Sequence, residues 1–198
     1  WSSDVCSSDL SWAVVRMSRE IFEFIDPERL VIGTVGQPGE RQFFMQVASG
    51  TSFRSFALEK SQASALASRC KEILREIAAK PGEFLTDNAP LTTPIEPEFV
   101  IGVMSLLWDA ERERFLLEAQ AATSGNDDIL VEDLLNDGTE GAPAILRILF
   151  GTVMARAFIK RTEEVVASGR MPCMFCGGPV DASGHLCPRS NGFRRREP

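Results

Sequence analysis

Four side chains near the C-terminal end have the types and spacing of a metal shell: Cys173, Cys176, His185 and Cys187. In Cys173-Met-Phe-Cys176-Gly-Gly the two thiols stand three residues apart, so a tight turn aims both at one ion. The glycines that follow let backbone amides approach the sulfurs. After an interval of eight residues, His185-Leu-Cys187 places its donors at i and i+2, on the same side of an extended segment. Three sulfurs and one imidazole fill a tetrahedral shell and leave no open position, the pattern of a structural zinc ion. His185 is the only histidine in the chain, and three of the five cysteines stand beside it. The competing chemistry is a redox dithiol at Cys173 and Cys176. It ranks lower, because no thioredoxin-like strand and helix frame the pair.

With His185 committed to a metal, the chain has no histidine left, and it has no tyrosine. The usual proton carriers near neutral pH are then missing. No Gly-x-Ser-x-Gly, phosphate loop or dinucleotide glycine fingerprint is present. An enzyme built on this chain would have to use carboxylates, Lys60 or a serine, and Glu59 and Lys60 with Arg41 are the candidates, in a groove between the two halves of the chain. Their simpler reading is charge at the end of a strand and the start of a helix. Catalytic residues therefore stay unassigned, and the expectation leans away from an enzyme.

The end of the chain changes sign. Arginines 170, 189, 194, 195 and 196 face a single acid, Asp181, between 170 and 196, and Phe193 lies among them. Such a tail can grip a phosphate backbone and stack on bases. The whole chain, however, carries a formal charge of −7, which opposes a nucleic-acid or anionic-membrane role. Nucleic acid through Arg194, Arg195 and Arg196 thus ranks below a protein or small-molecule partner. A solvated terminus, or one docked on the acidic stretch described next, is the expected state of the tail.

The elements that must position these groups read as a diverged internal duplication of a β-β-β-α unit. The first copy holds strands at Leu30–Gly33, Gln42–Val47 and Phe53–Leu58, and the second at Phe99–Gly102, Arg114–Ala119 and Ile145–Phe150. A helix closes each copy. Ala63, Leu66, Ala67, Cys70, Ile73, Leu74 and Ile77 recur at helical spacing in the first, and Ala155, Phe158, Ile159, Thr162, Val165 and Val166 in the second. A shift of 92 positions superimposes Leu66 on Phe158, Arg69 on Arg161 and Glu72 on Glu164. The fold class expected is α+β, an antiparallel sheet with helices on one face. The repeats run from about 17 to 79 and from 98 to 169, joined by a proline-punctuated linker over 80–97. Residues 170–198 form a small zinc-ribbon-like module with its basic tail. The stretch 126–140 holds six acids and no base. It lacks the ligand alternation and central glycine of a calcium loop, so it reads as solvated, with a short amphipathic helix at 129–135.

Residues 1–16 are set apart from this organisation. The run Trp1 to Leu10 has no periodicity, and it back-translates to a common short-read sequencing adapter, so 1–16 is expected to be an artefact that stays disordered. Setting it aside removes Cys6 and leaves 182 residues of charge −6. That length suits one domain with a small appendage. No apolar run reaches the ~20 residues that span a bilayer, and no secretory leader follows Met17. Few cysteines, clustered at a metal motif, fit a reducing cytoplasm.

Gly-Gln-Pro-Gly-Glu-Arg at 36–41, Ala-Leu-Glu-Lys at 57–60 and the run from Cys173 to Arg195 together resemble the actinobacterial family known as domain of unknown function 3090. The resemblance extends from Met17 to the end. Met171 and Met174 stand where the family pattern has prolines, and Thr152-Val153-Met154 replaces a proline-containing helix start; neither change touches a ligand. The resemblance implies a cytoplasmic bacterial protein without an established activity. Together, residues and resemblance point to a non-catalytic binding or scaffold protein with one structural zinc ion per chain.

Overall fold

The computed structural model describes residues 19–37, 39–80, 82, 86–123, 142–169, 173–178, 180 and 184–189. The expectations for residues 1–16, the acidic stretch 126–140 and the arginines at 194–196 lie outside these residues. Among the described residues, seven strands and two helices follow in chain order: β1 (Ile21–Ile25), β2 (Arg29–Val35), β3 (Gln42–Ser49), β4 (Ser52–Leu58), α1 (Lys60–Glu76), β5 (Pro97–Asp109), β6 (Arg114–Ala121), β7 (Ile145–Phe150) and α2 (Thr152–Ala167). The sheet order is β1-β7-β6-β5-β4-β3-β2. Each half supplies an antiparallel meander of three strands followed by a helix.

The sheet is mixed, which corrects the expectation of a purely antiparallel one. β4 and β5 run parallel, as do β1 and β7. The first pair follows from connectivity: a helix lies between the two strands, and a crossover of that kind returns the chain in the same direction. The second involves a strand the periodicity did not single out, Ile21-Phe-Glu-Phe-Ile. Its central residue joins a charged ladder, because Glu23 stands opposite Arg147, which bonds Glu118 on β6 at 2.8 Å.

β5 is also longer than expected. It spans 13 residues, Pro97–Asp109, where the sequence suggested a strand at Phe99–Gly102. Its first part pairs with β4 and its second with β6, and the β6 register shifts between Ile101 and Met104. Gly102 sits in that shift, where an added Cβ would lie 2.9 Å from the Ala122 Cα, so only glycine fits. A strand that serves two pairings through a bulge turns a corner in the sheet. The bend is measurable. A flat sheet would separate β1 from β4 by four strand spacings, about 19 Å. Instead the Phe22 and Phe56 rings are 5.6 Å apart, and Phe99 packs against Phe56 at 4.9 Å.

Inside the curl lies one hydrophobic core, filled by Ile32, Met45 and Phe56 from the first half and Phe115, Ile148 and Phe158 from the second. The helical spacing read from the sequence matches it: Ala63, Leu66, Ala67, Cys70 and Ile73 of α1 are buried, as are Ala155, Phe158, Ile159 and Thr162 of α2. The helices also pack on each other, with Lys71 bonding Glu163 at 2.8 Å across the seam.

The described part of the proline-punctuated linker lies along the sheet as a strap. Gln46 of β3 holds Thr92 through both backbone groups, at 2.7 and 2.8 Å. Arg29 bonds Asp87, Ala89 and Pro90, while Arg161 reaches from α2 to the carbonyls of Ile32, Asp87 and Ala89. Leu91 fills the space above Gly33. The strap thus covers the face of β2 and β3 that turns away from the helices.

Candidate metal centre

The metal-type residues come from two short turns. Backbone bonds close the first: the Cys173 N–H donates to Gly178 O and the Gly177 N–H to Cys173 O, both at 2.8 Å. Gly177 has φ +73°, a conformation that glycine adopts without strain, and this lets the chain reverse directly behind Cys176. The second turn brings in His185 and Cys187. Arg189 links the two by donating to Phe175 O at 3.0 Å.

The structure gathers all four expected ligands. The Sγ atoms of Cys173, Cys176 and Cys187 and a ring nitrogen of His185 lie within 4.8 Å of one another. The Cys173 and Cys187 sulfurs are 3.8 Å apart. Two sulfurs bound to zinc at ~2.3 Å with a tetrahedral angle stand about 3.8 Å apart, so this edge already has the length a metal imposes. His185 presents Nε2 to the Cys176 Sγ at 3.2 Å, a few tenths of an ångström inside the ~3.6 Å that tetrahedral zinc would set. Backbone amides support the sulfurs: the Phe175 N–H approaches Cys173 Sγ and the Gly178 N–H approaches Cys176 Sγ, each at 3.4 Å. The amides of Cys176 and Phe175 hold the Cys173 thiol below its ordinary pKa, which favours the thiolate a metal needs. Three soft thiolates and an imidazole suit zinc or another thiophilic ion, and hard cations such as magnesium poorly.

Side chains between the ligands point away. Met174 and Leu186 are about nine-tenths exposed, whereas Cys187 is buried. The described part of this segment turns those apolar residues outward, so a metal bound by the four ligands would add the cross-links that burial there does not supply. Cys70 belongs to different chemistry. Burial inside α1 pushes its thiol up to about 12, leaving it protonated and inert.

The second candidate set also converges. Arg41, Glu59 and Lys60 line one groove of about 630 Å³, between Phe43 and Ala57 of the first half and Val165 and Val166 of the second. Their surroundings define their roles. Glu59 is the N-cap of α1 and shares a capping box with Gln62, whose Oε1 accepts the Glu59 N–H at 2.8 Å. A carboxylate engaged with a helix end is poorly placed to act as a base. Arg41 donates to the Ser168 carbonyl at 2.8 Å, at the C-cap of α2.

Sequence reasoning missed Gln62. Its Nε2 donates to Ile101 O at 3.1 Å and Gly102 O at 2.8 Å, so it ties the first turn of α1 to the bulge of β5. The Glu-x-x-Gln spacing signals the capping box, but nothing local signals the bulge. Compared with known proteins, the chain matches a family model described as protein of unknown function (DUF3090) over residues 22–187. No curated protein and no solved structure matches it.

Proposed function

The chain belongs to the DUF3090 family, and on that premise we propose that it is a non-catalytic binding or scaffold protein whose C-terminal segment is clamped by one structural zinc ion. The observation that carries this reading is the closed set of four ligand atoms within 4.8 Å of one another. Such a shell has no vacancy for substrate or water, so its metal would cross-link the chain rather than activate a nucleophile. Cys173, Cys176, His185 and Cys187 would hold it, in a zinc-ribbon-like module over 170–198. The engagement of Glu59 in a helix cap favours the same direction, since it removes one of the few groups an enzyme could have used here.

The body that presents this module is a duplicated unit. Among the described residues β2-β3-β4-α1 and β5-β6-β7-α2 have the same element order, and Lys71 and Glu163, a pair that bridges the helices, are separated by the 92-residue shift that aligns them in sequence. Cytoplasmic residence goes with three closely grouped thiols kept for metal. Among the described residues no helix is long and apolar enough to cross a membrane.

Metal analysis of protein purified under reducing conditions tests the reading. About one zinc per chain is expected. Cys176→Ser should release it and loosen the segment from residue 170 on, while the helical circular dichroism of the body stays unchanged. Metal-free protein that keeps native exchange protection around Cys187, or a Cys173–Cys176 disulfide in the cell, would overturn it.

A further inference from the structure

We propose that the groove between the start of α1 and the end of α2 binds a small amphipathic anion, an apolar body that carries a single carboxylate-type group. The inference is separate from the metal site and goes beyond the scaffold role. The groove holds about 630 Å³, inside the ~300–1,000 Å³ range of small-molecule sites. Its lining is mixed, with Phe43, Leu58, Val100 and Val165 contributing apolar surface from strands and a helix beside polar groups. Into this lining come two cations from different elements, Arg41 from the loop before β3 and Lys60 from the first residue of α1.

The two cations reach consecutive residues after α2, Ser168 and Gly169. Arg41 bonds Ser168 through one guanidinium nitrogen, and the Lys60 Nζ lies 3.4 Å from where a Cβ on Gly169 would stand. Among the described residues neither cation has a carboxylate partner. This contrasts with Arg29, Arg69, Arg114 and Arg147, each of which is paired with an acid. Two cations that line one cleft, with Glu59 as the acid among them, leave a positive balance that favours an added anion.

The charge count selects the ligand. Arg41 and Lys60 supply two positive charges, and Glu59, in the same lining, returns one negative. A net charge of +1 matches a monoanion better than a phosphate dianion. The apolar side chains among the walls favour a ligand with a hydrocarbon or aromatic body over a bare inorganic ion. A simpler role for both cations, as caps on the negative end of α2, predicts no selectivity for added anions.

Fluorescence titration of the full chain with 8-anilinonaphthalene-1-sulfonate, an aromatic monoanion, separates the two. One saturable site per chain is expected, with the probe displaced by octanoate and not by octylammonium. Lys60→Met and Arg41→Met should each weaken probe binding about tenfold, as expected for loss of one charged hydrogen bond. Lys71→Met, which removes a cation outside the groove, should leave it unchanged. Thermal melts establish that each variant is folded. Absence of a saturable site, equal displacement by octylammonium, or an equal loss in Lys71→Met would overturn the proposal.

Discussion

Gln62 offers the sharpest test of how the two halves are joined. It makes one bond within the cap of α1 and two across to β5, with Glu59 N, Ile101 O and Gly102 O as partners at 2.8, 3.1 and 2.8 Å. Gln62→Ala removes all three. The cap bond is exposed and contributes about 0.5–1 kcal/mol. The bulge carbonyls are partly buried, and losing their donor costs about 1 kcal/mol each. The sum is about 2–3 kcal/mol, or roughly 5–10 °C in Tm for a domain of this size. Gln62→Glu divides local from tertiary effects. It keeps the acceptor that the cap requires, and glutamate is favoured at that position. It removes the donor and sets a carboxylate against two carbonyl oxygens. Urea unfolding at pH 7 should therefore find Gln62→Glu at least as unstable as Gln62→Ala, with m unchanged. If Gln62→Glu instead stays within about 0.5 kcal/mol of the parent, the bond to the bulge contributes nothing and the two halves are joined by other means.

Asp87→Asn should weaken the strap. The Arg29 guanidinium holds the Asp87 carboxyl below its ordinary range, so its contribution is full above ~3.9 and is lost as pH falls through the depressed value. The variant should lose up to about 1 kcal/mol at pH 7 and converge with the parent in acid; an unchanged acid limb would count against the pairing. A chain begun at Met17 is expected to melt with the full-length chain, which calorimetry can check, and a clear loss of stability would mean that residues 1–16 are structural. Single-stranded nucleic acid is expected to bind negligibly at physiological salt. Tight binding that falls steeply with salt, and is abolished when Arg194, Arg195 and Arg196 become alanine, would reverse that ranking.

Much of the molecule is legible in the sequence because it rests on local rules. The four metal-type ligands show there since ligand spacing is a property of short turns, and a Cys-x-x-Cys followed by His-x-Cys leaves little freedom. Both helices are legible because their buried faces repeat at 3.6 residues, and Leu66, Ile73 and Phe158 are buried as that period requires. Strand order within each half follows from turn signals such as Gln37 to Glu40, where the Glu40 N–H bonds Gln37 O.

What escaped the sequence depends on residues far apart in the chain. β1 is five residues long and finds its partner more than a hundred positions away on β7, so no turn announces it. The corner in β5 arises because Gly102 meets Ala122 and Gln62 reaches Ile101, contacts that no periodicity encodes. Pro90 and Pro94 mark the linker in the sequence, but not the contacts by which Arg29, Gln46 and Arg161 hold it against the sheet. Sequence alone determined which residues can ligate and which faces are apolar, since both follow from side-chain type and backbone period. Tertiary structure alone decided that the four ligands meet within 4.8 Å. It also decided that Arg41 and Lys60 share one groove, because proximity between distant segments is set by how the sheet bends and what the bend brings together.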